Sequence, residues 1–136
     1  MVAGARQDGS FAAFVLPSER TAVEWGQRFE CARALGDLLL DPWRVGTVGA
    51  ASSGFAEGLR RRRSGAFAAE FLLPRSALER ATGGVLNAGA DPDSFERLLE
   101  EFGVGARTAA YHLWNHKLLT NEGVRDQLIE DYAARR

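Results

Sequence analysis

Apolar residues recur at helical spacing along most of this chain. In residues 21–40, Trp25, Phe29, Ala32, Leu35, Gly36 and Leu39 return every three or four positions. That spacing puts them on one stripe of a helix. Asp41-Pro42 ends it, because the residue before a proline is pushed out of the helical region. Residues 59–72 repeat the pattern, with Phe67, Ala68 and Phe71 on the apolar side and Pro74 as the stop. A short helix is predicted over 76–80. Ser94 stands where an N-cap would sit before a helix over 95–102, whose buried edge is Leu98, Leu99 and Phe102. Gly103-Val104-Gly105 reads as a tight turn, and 106–119 as a second helix of similar weight. Residues 123–132 predict a last helix with Val124, Leu128 and Ile129 inward. One segment differs. FAAFVL at 11–16 is a continuous apolar run that fits a short strand, stopped by Pro17, which has no N–H for a ladder. Residues 45–58 and 82–93 are rich in Gly, Ala and Ser or in turn residues and read as loops.

Size and charge narrow the class. A chain of 136 residues, 46% hydrophobic and 26% charged, suits a single globular domain over 1–136. The formal net charge of −1 supplies no global attraction to nucleic acid or anionic lipid. Cys31 is the only cysteine, so no internal disulfide can form, and a reducing compartment, the cytoplasm, is expected. Residues 1–7 lack the basic flank and apolar run of a leader, and no stretch reaches the ~20 apolar residues of a membrane span.

Three segments carry a family resemblance. QRFECARALGDLLLDP at 27–42 is similar to the stretch RFTLAHELGHLLLHP of the ImmA/IrrE zinc metallopeptidases. AFAAEFLLP at 66–74 is similar to their N-x-FA-x-E-LL-x-P segment. LLEEFGVGARTAAYHLWNHKLL at 98–119 resembles their helix-turn-helix-like pair. The order and spacing also agree, over about residues 11–119. The resemblance implies an α+β fold: a small N-terminal β-sheet packed against a mostly helical metallopeptidase-like core, with the helix pair near the C-terminus. Members usually carry a helix and a strand ahead of the segment matching Phe11. Here about ten residues precede it, which implies either completion of the sheet by another chain or by self-association, or a small sheet that tolerates the loss.

The family chemistry needs two histidines at i and i+4 on one helix face, a glutamate after the first as general base, and a carboxylate from the next helix. Matched position by position, the first histidine falls on Arg33, the base on Ala34, the second histidine on Asp37, and the third-ligand glutamate on Arg61. Of these only Asp37 could ligate a metal. Arginine has no lone pair to offer, and alanine cannot activate water. No bound metal and no cofactor are expected in the chain, and no zinc peptidase activity. An Arg33–Asp37–Arg61 ion cluster could replace the cross-link that zinc provides. If partly buried, losing Asp37 would then cost ~3 kcal/mol. The alternative is that the three side chains are simply solvated.

Other candidates are weaker. His112 and His116 are also i and i+4, but Leu113 occupies the base position and no acidic or thiol ligand is near in sequence, so a plain helix face is expected and metal binding is not. Cys31 reads as a buried thiol. Arg60 to Arg63 point to all sides of a helix and make no phosphate-binding stripe. The second helix of the pair carries only Arg107 and Lys117 as cations, which is poor for a DNA groove. Tyr111 and Trp114 are candidates for contact with a protein partner. The sequence therefore predicts a catalytically inactive pseudopeptidase acting as a protein-binding or regulatory module. Two alternatives remain open. One is a non-zinc enzyme whose cleft binds an anionic small molecule through Arg33, Asp37 and Arg61. The other is a DNA-binding regulator acting through residues 95–119.

Overall fold

The computed structural model describes residues 2–5, 11–14, 22–40, 48–50, 57–84, 87 and 91–133. Six helices dominate the described residues: α1 (Glu24–Leu40), α2 (Glu57–Leu72), α3 (Arg75–Thr82), α4 (Pro92–Phe102), α5 (Ala106–Asn115) and α6 (Glu122–Ala133). The expected α+β class is thereby corrected. The described hydrophobic core is helical, drawn from α2 to α6 and their turns, and no β-layer belongs to it. Among the described residues, extended backbone is limited to three short segments, β1 (Val2–Ala5), β2 (Phe11–Phe14) and β3 (Val48–Ala50), which pair antiparallel in the order β2-β1-β3. The physical reason lies in their sequences. VAGA, FAAF and VGA are shorter than ordinary strands and, outside the two phenylalanines, offer little apolar area to bury. Residues 15–17, with the end of the expected strand, and most of the expected loop over 45–58 lie outside the described residues.

The chain divides into two compact units, Met1–Ala68 and Ala69–Arg136. In the first, α1 and α2 meet where Gly36 faces Phe67. A Cβ built on Gly36 would lie 2.7 Å from the ring's Cδ1 and 3.2 Å from the Phe67 Cβ. The stripe expected on α1 is only partly inward. Ala32, Ala34 and Gly36 are buried, whereas Trp25 and Leu39 are exposed. Phe71, placed on the apolar side of α2 by its spacing, belongs to the second unit and is exposed as well.

The second unit holds the described core. Leu73, Leu78, Phe95, Leu98, Val104, Leu113, Leu119, Leu128 and Tyr132 pack together, and the Phe95 and Tyr132 rings meet edge to face at 5.2 Å. Tyr132 also donates its hydroxyl to the Pro92 carbonyl at 2.8 Å, pinning α6 to the start of α4. The cap of α4 is Asp91 rather than Ser94. Its carboxylate accepts from the Ser94 N–H at 3.0 Å, and Pro92 fills the first helical position, where a missing N–H costs nothing. Gly103 ends α4 with φ 57°, a left-handed C-cap that suits glycine. Helix α5 stops at Asn115, four residues before the expected end. Lys117 turns left-handed at φ 59°, and Asn87 clamps the chain beyond it. The Asn87 N–H donates to the Leu118 carbonyl, and its side-chain oxygen accepts from the Thr120 N–H.

Candidate functional site

The positions matched to the zinc motif lie on α1 and α2. Arg33 is 9% exposed, and its guanidinium binds both oxygens of Glu30, one turn back, at 3.0 Å. Its Nε is buried without a partner. Ala34 is 1% exposed. Asp37 is half-buried and Arg61 exposed. Among the described residues, no ion pair joins Asp37 to either arginine, so the Arg33–Asp37–Arg61 cluster does not form. The reason is geometric: Glu30 reaches Arg33 along the same helix face and takes the charge that Asp37 was expected to take. Cys31 is exposed, which corrects the expected burial. Its neighbours Ala32 and Arg33 take the inward face instead.

The aromatic pair on α5 is held within its own unit. The Arg125 guanidinium of α6 lies over Tyr111 at 4.8 Å and over Trp114 at 5.1 Å, and Arg107 lies 5.6 Å from the Tyr111 ring centre. Glu122 and Asp126 fix Arg125 from its own helix at 2.8 and 2.7 Å. These contacts tie α5 to α6 through cation–π attraction.

The densest chemistry sits elsewhere in the second unit. Glu70, at the end of α2, meets His112 and His116 of α5. One carboxylate oxygen, Oε2, lies 3.2 Å from each histidine Nε2. The other, Oε1, accepts the Arg75 N–H at 3.0 Å, which satisfies an open donor in the first turn of α3. The two imidazoles stand edge to face at 4.5 Å. The His112 side chain is 7% exposed, His116 21% and Glu70 51%, so the group opens to solvent on the carboxylate side. The His116 Nε2 makes a hydrogen bond with Glu70. The His112 Nε2 approaches just as closely but with no hydrogen-bond geometry, and it is buried without a partner. An unmet buried nitrogen costs about 1–3 kcal/mol.

Electrostatics follow the placement. Burial holds the His112 ring below its usual pKa of 6.5, helped by His116, while Glu70 and a hydrogen bond with the Leu73 backbone pull it back up. Glu70 is held below the usual carboxylate value, first by the Arg75 N–H and, against some desolvation, by the two histidines. The pair is therefore a neutral buried imidazole facing an ionised carboxylate.

The HLWNH spacing made the two histidines visible in sequence. It could not supply their third member, which lies 46 residues before His116 and reaches them only through the fold of the second unit. Comparison with protein-family models, with curated proteins and with solved structures finds no match to this chain.

Proposed function

We propose that the chain is a non-hydrolytic scaffold of the ImmA/IrrE type, a pseudopeptidase that works in the cytoplasm as a protein-binding or regulatory module. The observation that carries this reading is Ala34. It is buried at the position matched to the general base, directly after an arginine whose charge is already committed to Glu30. A water there has no base to deprotonate it, and the positive charge of the neighbouring Arg33 would repel a divalent ion. The committed guanidinium also weighs against the reading in which this cleft takes an anionic small molecule. A protein-facing role is supported by large apolar side chains left exposed on the first unit, Trp25, Leu39 and Leu40 on α1 and Leu59 on α2, each of which would gain by burial against a partner. None of the described helices is long and apolar enough to cross a membrane.

Restoring the motif tests the match. The fourfold variant Arg33→His, Ala34→Glu, Asp37→His, Arg61→Glu, made in a His116→Ala background, should take up one zinc per chain beyond whatever its His116→Ala parent binds. A restored chain that folds but binds no zinc would remove the positional match on which this reading stands.

A further inference from the structure

We propose that Glu70, His112 and His116 form a binding site for a divalent transition-metal ion, zinc foremost, which ties the end of α2 to α5 and keeps one coordination position for water. This goes beyond the reading above, because none of the three residues is a position matched to the peptidase zinc motif.

Two imidazoles and one carboxylate are a donor set that suits zinc. The geometry is near what the ion needs. With bonds of about 2.0–2.1 Å, two ligand atoms on a tetrahedral ion stand roughly 3.3 Å apart. Glu70 Oε2 is 3.2 Å from each histidine Nε2, and the three ligand atoms all lie within 4.8 Å of one another. The two histidine nitrogens, within 4.8 Å of each other, are the pair that would have to close, and His116 sits at the C-cap of α5. An ion between the three atoms would also give the buried His112 Nε2 the partner it lacks. The site is pre-oriented by its surroundings. Glu70 is aimed by the bond from the Arg75 N–H to its other oxygen, the kind of outer support that metal ligands characteristically have. The turn that follows His116 is fixed by Asn87. The exposed side of Glu70 leaves the fourth corner to solvent.

The fit is to zinc as a cross-link. Glu70 is spent as a ligand, and the described residues place no second carboxylate in the cluster to serve as a base. Without metal, the three side chains would be a histidine–glutamate–histidine contact and nothing more, and the experiment separates the two.

The untagged chain is titrated with cobalt(II), read by the visible absorption of a tetrahedral complex, and with zinc(II) in competition with a chromophoric chelator. The expected result is one equivalent per chain. His116→Ala and Glu70→Gln should each weaken the zinc Kd by about ten-fold or more. His116→Cys should restore tight binding with the added charge-transfer band of a thiolate. Cys31→Ser should change nothing, although Cys31 is exposed. His116 is partly exposed, so its replacement should leave the far-ultraviolet circular dichroism intact. The proposal is overturned if the folded parent binds no cobalt or zinc, if both His116→Ala and Glu70→Gln bind as tightly as the parent, or if Cys31→Ser abolishes binding.

Discussion

Gly36 has no side chain, and the packing of α1 on α2 depends on that. Glycine inside a helix costs about 1 kcal/mol relative to alanine, so Gly36→Ala would stabilise an isolated helix. Here the added methyl would meet Phe67 at 2.7 Å, and the clash extends down the ring to within 3.2 Å of the Phe67 Cβ. The obstacle is thus near the α2 backbone and cannot swing away. Overpacking of this kind costs roughly 1–3 kcal/mol, which outweighs the propensity gain. Gly36→Ala should therefore destabilise the first unit by about 1 kcal/mol, measured by native-state hydrogen exchange of α1 amides. The double variant with Phe67→Ala should recover part of the loss. An unchanged or slower exchange in Gly36→Ala would refute the contact. The L-G and F-A positions picked out by resemblance thus have a physical account in one close approach. The residues between them do not follow from sequence so simply. Arg33 was expected to pair forward with Asp37 and instead pairs back to Glu30, a choice between two carboxylates that spacing alone cannot make.

Helical periodicity was legible for α1, α2, α4, α5 and α6, because each has apolar residues at three- and four-residue spacing. Their ends were less so. Ser94 is a good capping residue, yet Asp91-Pro92 starts α4 a turn earlier, and Ser94 instead supplies the N–H that Asp91 accepts. The end of α5 was missed because its stop signal is Lys117 in a left-handed conformation, and the residues after it, Leu118 and Thr120, are hydrogen-bonded to Asn87, more than thirty residues away in sequence. Elements also set the pH behaviour of the second unit. His112 is held below 6.5 in the fold, so an unfolded chain takes up that proton first as the solution is acidified. Stability contributed by neutral His112 is therefore full above pH 6.5 and declines as pH falls from there toward the folded pKa. Glu70 is held below 4.5, and its contribution is lost only as pH falls through its own lower value. Without added metal, thermal melts should show the midpoint falling from about pH 6.5 downward. Replacing His112 by Asn should flatten that slope while leaving the steeper loss at lower pH. A midpoint that rises on acidification between pH 7 and 5 would contradict the burial account. In the core that fixes these elements, Phe95 is fully buried against Tyr132. Phe95→Ala should cost about 3–5 kcal/mol, read as lost exchange protection in α4 and α6.

At the scale of the whole molecule, the α+β expectation failed for a reason visible in hindsight. The run at 11–16 is apolar, but only Phe11–Phe14 of it lies among the described residues, and its partners VAGA and VGA are too short and small-sided to carry a layer. The core came from helices instead. The candidate metal site was half legible: His112 and His116 could be seen as a pair, and Glu70 could be seen in AAEFLLP, but nothing local joins them. The peptidase reading stands as the proposal of a scaffold with Ala34 at the position matched to the catalytic base. The most direct test is hydrolysis itself. The purified chain, with one to two equivalents of zinc, is incubated with a broad peptide mixture and the products are read by mass spectrometry. The account predicts no cleavage above the same buffer with zinc alone. Cleavage that grows with protein concentration and stops on chelation would contradict it.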